Sequence, residues 1–161
     1  MSALEEETLL ELTECESLDR ILVISLRKRG YTKFMKTLAN CENLKIAFLE
    51  FNEPSLEELK FLAYFHNLVK LDLSNCKINV LPRESTFKLL SNLKILYLHS
   101  NCITKYEDIK GVESIPNLLH ITLYENKVSK YWLLLSFSIQ TLLAIDDLAL
   151  NDFEKFALEC F

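Results

Sequence analysis

One short stretch, Leu93–Ile103, restricts the fold of this chain more than any other. Its sequence, LKILYLHSNCI, contains four aliphatic residues and one asparagine at a characteristic spacing: Leu93, Leu96, Leu98, Asn101 and Ile103. Side chains alternate between the two faces of a strand, so Leu96 and Leu98 point inward while Tyr97 and His99 point outward. An asparagine just after such a strand can satisfy backbone groups that a turn leaves unpaired. The stretch predicts a short strand with one buried face, followed by an amide-supported turn.

The same pattern recurs along the chain at a nearly constant period. Units begin at Ile21, Leu44, Leu68, Leu93, Leu118 and Leu142, which gives intervals of 23, 24, 25, 25 and 24 residues. The asparagine position of the first five units holds Arg29, Asn52, Cys76, Asn101 and Asn126. A period of about 20 to 29 residues with this spacing is typical of leucine-rich repeats, in which cysteine also replaces the asparagine. The sequence therefore predicts an α/β leucine-rich repeat solenoid, a short horseshoe with parallel strands on its concave face.

The segments between the strands predict the convex face. Apolar residues spaced near three precede the later units: Leu56, Leu59 and Leu62, then Phe87 and Leu90, then Ile109, Val112 and Ile115. Such spacing favours short 3-10 or α turns. We assign residues 20–145 to about five repeats and a partial sixth.

Helical caps are predicted at both ends, because a solenoid must cover its open core. Residues 1–19 contain seven acidic and no basic residues, and leucines near helical spacing predict an acidic amphipathic capping helix. An acidic arm that docks onto a partner is the alternative. Residues 146–161 are predicted to close the other end, with Asn151 and Glu154 beginning a helix that carries Phe153, Phe156, Ala157 and Cys160.

Composition excludes several classes of function. The chain has 161 residues, half of them hydrophobic, and a net charge of −5, which argues against a nucleic-acid binder. The chain has only two glycines and contains no phosphate-loop, dinucleotide or nucleophile-elbow motif. We therefore predict that it is not an enzyme and binds no cofactor. Five cysteines without a C-x-x-C pair indicate buried free thiols in an intracellular protein. The longest apolar run, residues 131–139, is about half a membrane span, and no secretory leader is recognisable at the start.

Strand alternation also predicts which side chains face the concave side. The residues expected to bind a protein partner there are Phe48, Glu50, Lys70, Asp72, Ile95, Tyr97, His99, His120 and Tyr124. Three of them are large aromatics that the strand geometry places in solvent unless something covers them, and such residues are common interface anchors. Single exposed aromatics mean little, but a group with Ile46 and Ile95 beside it forms a patch.

Two further hypotheses concern charged residues. His99 and His120 with Asp72 suggest a metal site, but no short ligand spacing such as H-x-x-x-H supports it, so no metal is predicted. A secondary basic patch is formed by Arg27, Lys28 and Arg29, followed by Lys33 and Lys36. Either the acidic first helix neutralises this run, or the run meets an acidic partner such as the tubulin surface.

Two segments narrow the comparison with known families. LVKLDLSNCKINVLP and NLKILYLHSNCIT are similar to the leucine-rich head of ciliary proteins that combine leucine-rich repeats with IQ motifs, and more loosely to the leucine-rich light chain of outer-arm dynein. The short repeats resemble intracellular members of the phosphatase-regulator-like subclass. Tyr131, Leu142, Ile145, Asp146 and Glu154 match the C-terminal cap of those members in outline, although its arginine and proline are missing.

The resemblance implies a non-catalytic scaffold or adaptor in a larger complex of the ciliary or flagellar axoneme, with axonemal or tubulin-associated protein partners. It thus implies a place in the cytoplasm and its cytoskeleton. A regulatory subunit of a protein phosphatase is the alternative, and a splicing-associated repeat protein is disfavoured by the net charge. This chain has no IQ motif, so calmodulin binding is not implied.

Overall fold

Parallel strands, one for each repeat, form the main sheet of this computed structural model, which describes residues 2–150. The sheet contains seven strands, in spatial order β2 (Val23–Ser25), β4 (Ile46–Phe48), β5 (Lys70–Asp72), β6 (Ile95–Tyr97), β7 (His120–Thr122), β8 (Ala144–Ile145) and β9 (Leu148–Ala149). Neighbours from β2 to β8 run parallel, and β9 runs antiparallel to β8. The register aligns Leu96 with Leu71 on one side and with Ile121 on the other, which are the same positions of neighbouring repeats. The predicted leucine-rich repeat fold with its parallel sheet is confirmed.

Short helices return the chain on the opposite side. They are α2 (Met35–Leu38), α3 (Leu56–Leu59), α4 (Glu84–Phe87) and the 3-10 helices Lys60–Tyr64, Tyr106–Asp108 and Lys110–Ser114. The predicted convex turns are thus present, although Leu56 is 37% exposed at the first position of α3 instead of packing inside. The Glu58 carboxylate accepts hydrogen bonds from the backbone N–H groups of Phe34 and Met35 at 2.8 and 2.9 Å. One repeat therefore caps the helix of the previous one.

The inward positions of the strands build one continuous core. Leu93, Leu96, Leu98 and Ile103 are each 1% exposed or less. Full burial of such a side chain contributes about 1.5 to 3 kcal/mol relative to leaving it exposed. Because each repeat adds the same inward set, the hydrophobic periodicity is what specifies this fold.

Buried asparagines link successive repeats through their side chains. The Asn101 amide nitrogen donates to the carbonyl oxygens of Leu73 at 2.8 Å and Leu98 at 2.9 Å. Its side-chain oxygen accepts from the backbone N–H groups of Cys76 and Ile78, both at 3.0 Å. Asn126, one repeat later, and Asn52, two repeats earlier, make similar bonds: each donates to two carbonyl oxygens and accepts from one backbone N–H group of the preceding repeat. The role expected of Asn101 is confirmed, and its bonds join two repeats.

Cys76 replaces asparagine in this ladder and fits because its neighbours offer fewer donors. Its thiol lies 3.3 Å from the carbonyl oxygens of Leu49 and Ser74. Asn101 accepts from the residue at its own position in the previous repeat and from the residue two further on. For Cys76, the corresponding residues of the previous repeat are Asn52 and Pro54, and Pro54 has no N–H to donate. A residue with no amide oxygen is therefore tolerated there.

A second asparagine ladder, which the sequence analysis missed, lies where each strand begins. The residue before the first leucine of four repeats is asparagine, and its amide donates to a backbone carbonyl of the preceding repeat: Asn43 to Asp19, Asn67 to Glu42, Asn92 to His66 and Asn117 to Ser91, at 2.7 to 2.9 Å. These asparagines are exposed. The dipeptide N-L at the start of four of the six units was the signal that could have predicted this ladder.

The described cysteines differ in how reactive they should be. Burial raises the pKa of the Cys41 thiol to about 11 and that of Cys76 to about 12, whereas Cys102 is exposed. The thiolate is the reactive form, so burial and a raised pKa both slow alkylation. With Cys15 and Cys160 changed to serine, we expect Cys102 to react with a thiol reagent near pH 8 at least about a hundredfold faster than Cys41 or Cys76. Mass spectrometry of the labelled peptides measures this, and equal rates in the folded protein would contradict the packing.

The N-terminal segment covers the first repeat with a shorter helix than predicted. α1 spans Glu6–Thr13 instead of most of residues 1–19, since Ser2–Ala3 form strand β1, which pairs in parallel with β3 (Tyr31–Lys33). Leu4 and Leu9 are 2% and 0% exposed and belong to the common core.

The C-terminal end departs from its prediction at its start. Residues 146–149 form the turn and second strand of the β8–β9 hairpin, where a helix had been expected. The helix predicted to begin with Asn151 and Glu154 and to carry Phe153, Phe156, Ala157 and Cys160 lies outside the described residues. A helix that the repeat pattern did not predict, α5 (Tyr131–Ser138), leads into this hairpin.

Candidate protein-binding face

Aromatic and cationic side chains from four neighbouring strands touch one another on the outward face of the sheet. Lys70 places its Nζ atom 5.1 Å from the Phe48 ring centroid and 4.7 Å from that of Tyr97. The Tyr97 ring meets His120 edge-on at 5.5 Å. We call Phe48, Lys70, Tyr97, His99, His120 and Tyr124 the concave cluster.

Stacking and hydrogen bonds hold the part of the concave cluster that is nearest the C-terminal repeats. The His99 ring stacks on Tyr124, with centroids 4.4 Å apart and planes 10° from parallel. Its Nδ1 lies 2.8 Å from the Thr122 hydroxyl, and the His120 Nε2 lies 2.7 Å from the Asp146 carbonyl oxygen. A carbonyl oxygen only accepts, so His120 donates from Nε2. These contacts fix both rings before any partner arrives.

The predicted aromatics are less exposed than strand geometry alone suggested. Phe48 and Tyr97 are half-buried, because Lys70 packs between their rings, and only Tyr124 is exposed, at 38%. Ile95 and His120 are also half-buried. An apolar and aromatic surface that is already ordered loses little side-chain entropy on binding, which favours association.

Two of the predicted binding residues prove to be buried. Glu50 is 8% exposed and Asp72 is 6% exposed. Asp72 accepts from the Ser74 backbone N–H at 3.0 Å and from its hydroxyl at 2.7 Å, while Glu50 pairs with Arg27 at 3.5 Å. The second carboxylate oxygen of Glu50 is buried without a hydrogen-bond partner. Both acids therefore offer almost no surface to a partner, which corrects their assignment to the contact set.

Carboxylates surround the last exposed ring of the face. The pKa of the Tyr124 hydroxyl is raised, first by its surroundings excluding water and then by Asp147, Glu125 and Asp146. The Asp146 carboxylate itself accepts from the backbone N–H groups of Leu123 and Tyr124 and from the Tyr131 hydroxyl. Asp146 thus satisfies two backbone N–H groups just after β7, a role that sequence reasoning did not assign to it.

The basic patch lies at the opposite end of the face. Arg27, Lys28 and Arg29 are exposed, and the Phe51 ring lies 4.9 Å from the Lys28 Nζ and 5.9 Å from the Arg27 Cζ. Within residues 2–150, no ion pair joins this patch to the acidic helix α1. Of these three residues, Arg27 pairs with Glu50 instead.

The histidines of the concave cluster make ring contacts and hydrogen bonds and are not grouped as metal ligands. In the part of the chain that the structure describes, no three His, Cys, Asp or Glu side chains are grouped so that they could hold a metal ion. Asp72 accepts from the Ser74 hydroxyl, and the His99 ring stacks on Tyr124.

Comparison with solved structures supports the same architecture. The chain superposes over its whole length on a chain of the Drosophila melanogaster SNF/U2A' complex, covering 92% of that chain with a TM-score of 0.78 and 18% identity. It also superposes on the Chaetomium Mex67:Mtr2 subunits with a TM-score of 0.58 and 14% identity, covering 96% of this chain and 99% of that one. With sequence identities of 18% and 14%, these superpositions show a shared fold only.

Sequence relatives decide the family. Over 127 residues, 77% of this chain, it is 32% identical to leucine-rich repeat and IQ domain-containing protein 3 of Homo sapiens, and the proteins of that name from Mus musculus and Rattus norvegicus match equally. The chain is a leucine-rich repeat protein. The matched segment is homologous to those proteins, and the chain spans about one fifth of their length. No family model matches it.

The name of the sequence relatives indicates repeat proteins and no enzymatic family. Among the helices within residues 2–150, none combines the length and apolar character needed to cross a bilayer.

Proposed function

We propose that this leucine-rich repeat protein is a non-catalytic interaction scaffold that binds a protein partner through the concave cluster. The observation that carries the proposal is the ordered aromatic surface around Tyr97, which contacts Lys70, His99 and His120 and still remains half-exposed. Aromatic side chains in a preformed setting are frequent hot spots of protein interfaces. Solenoids present such extended surfaces to their partners.

We propose further that the partner belongs to the ciliary or flagellar axoneme. Homology to proteins that combine leucine-rich repeats with an IQ domain supports this, together with the resemblance to the leucine-rich head of ciliary proteins. Expression of a tagged copy in ciliated cells tests it. Signal along the axoneme is the expected result, and a distribution that excludes cilia would contradict it.

The contact surface is tested by removing two aromatics at once. We expect Phe48→Ala with Tyr97→Ala to reduce partner recovered on affinity purification by at least roughly tenfold, since truncating a hot spot commonly costs about 2 kcal/mol or more. The matched control is Phe61→Ala with Tyr64→Ala, which removes the same two residue types from a ring pair on the convex side, with centroids 6.1 Å apart.

Quantitative mass spectrometry of the recovered partners measures the difference, and thermal unfolding shows that both double variants stay folded. Equal recovery with both variants would show that the concave cluster is not the binding surface. The same purification distinguishes a regulatory subunit, because that alternative requires phosphatase activity to co-purify with the wild-type chain.

A further inference from the structure

The outward face of the repeats carries opposite charges at its two ends. Lys28 and Arg29 are exposed beside the first strand, β2, and no ion pair within the described residues engages either of them. Glu125 and Asp147 are exposed at the other end, beside β7 and β8. The basic end is therefore accessible to anions and the acidic end to cations.

Burial of the acids in between sharpens this separation. Glu50 and Asp72 are the carboxylates nearest the basic end on this face, and each is less than 10% exposed, at 8% and 6%. The middle of the face is occupied by Phe48, Lys70 and Tyr97, whose rings and methylene groups are half-buried. The surface thus runs from a basic end, through aromatic rings that enclose Lys70, to an acidic end.

Two of the basic groups, on Arg27 and Lys28, pack over one aromatic ring. The Lys28 Nζ lies over the Phe51 ring at 4.9 Å, and Phe51 adopts a left-handed backbone with φ of 61° that projects its ring beside the sheet. A bulky residue in that conformation is uncommon. Arg27 approaches the same ring at 5.9 Å while it pairs with Glu50.

The length of the face selects the size of a ligand. Four steps between β2 and β7, at about 4.8 Å each, make roughly 19 Å. This exceeds the Debye length of about 8 Å, so each end attracts its counterpart independently. An α-helix of about 13 residues spans the distance at 1.5 Å per residue.

A helix also suits the backbone chemistry of the face. The N–H and C=O groups of the inner strands are used in the parallel ladder, for example from Leu73 to Tyr97 at 2.9 Å and from Leu98 to Thr122 at 2.9 Å. A ligand must therefore satisfy its own backbone groups, which a helix does and an extended peptide does not.

We propose that the concave cluster binds a partner helix with acidic residues in its first turn, apolar residues on the side facing the cluster and basic residues in its last turn. The acidic turn lies against Lys28 and Arg29, and the basic turn lies against Glu125 and Asp147. Acidic residues at a helix N-terminus and basic residues at its C-terminus also complement the helix dipole. This inference rests on the proposed function and specifies the charge order of the ligand.

Two synthetic peptides of about 18 residues, long enough to span the face, test the charge order. The bipolar peptide has glutamates in its first turn and lysines in its last turn, with a leucine stripe between them. The mixed peptide has the same composition, with glutamates and lysines alternating along the polar side. We expect the wild-type chain to bind the bipolar peptide roughly tenfold more tightly, a difference of about 1.4 kcal/mol.

The two peptides can differ in their own helicity, so the same pair is also measured against variants of the protein. Lys28→Glu with Arg29→Glu should abolish the preference, whereas Lys36→Glu with Lys110→Glu, an equal charge change at exposed convex positions, should preserve it. Fluorescence anisotropy measures each affinity. The charge order is wrong if the two peptides bind equally, if neither binds, or if the preference survives Lys28→Glu with Arg29→Glu.

The same peptides separate this inference from the proposed function. If both bind equally and both are lost in the Phe48→Ala and Tyr97→Ala double variant, the concave cluster binds protein but charge order plays no part. If that double variant binds as the wild type does, the concave cluster is not the binding surface and both proposals fall.

Discussion

Replacement of Asn101 by alanine is expected to lower the free energy of unfolding by about 3 to 4 kcal/mol. The change removes the amide that serves the Leu73 carbonyl and the N–H groups of Cys76 and Ile78, all in the preceding repeat. These groups are buried with the 8% exposed asparagine, and each one left without a partner costs about 1 kcal/mol or more. The Leu98 carbonyl keeps its second donor, Asn126.

Thermal unfolding followed by circular dichroism and by the single tryptophan, Trp132, measures this loss. For a chain of this size, the expected change corresponds to a melting temperature lower by roughly 10 °C. Asn92→Ala is the matched control, because its amide makes one exposed bond to the His66 carbonyl and should cost only about 0.5 to 1 kcal/mol. The ladder is not a main source of stability if both variants melt at the same temperature.

Gly111→Ala is expected to destabilise the convex side by about 2 to 3 kcal/mol, as overpacking a tight contact does. A methyl group at Gly111 would lie 2.4 Å from the Pro82 carbonyl oxygen and 3.0 Å from the Phe87 Cδ2 atom. The closest atom belongs to the backbone, so relief requires the 3-10 helix Lys110–Ser114 to move away from α4. These two elements pack directly on each other.

Gly30→Ala is the comparison variant. The chain has two glycines, and Gly111 is required by a close contact whereas Gly30 is required by its backbone conformation. Gly30 has a φ of 68°, and an added methyl group meets nothing within 4 Å, so alanine there should cost only about 1 kcal/mol for the left-handed backbone. Chemical denaturation of both variants tests the ranking. A larger loss at Gly30 than at Gly111 would contradict the close approach of Gly111 to Pro82.

Repeated local patterns made most of the fold predictable. The spacing of Leu93, Leu96 and Leu98 is a local property, and the same spacing in each unit fixes the register of every strand against the next. The ends of the solenoid have no such repetition. Helix α1 was consequently predicted too long, and the β8–β9 hairpin and α5 were missed.

Only part of the candidate site followed from the sequence. The alternation of strand side chains placed Phe48, Tyr97 and Tyr124 on the outward face, where the structure has them. It could not tell that Glu50 and Asp72 on that face are buried, because burial depends on how side chains of neighbouring columns lie over one another. Nor could it predict that Lys70 packs between Phe48 and Tyr97, which come from strands on either side of it.

Spacing within about 25 residues was enough to predict the repeat length, the inward leucines and the asparagines at the turns. The tertiary structure alone decided the contacts across repeats. It brought Pro82 against Gly111 and separated the basic end of the concave face from the acidic one. Those relations join residues far apart in the chain, and they exist only once the repeats are stacked.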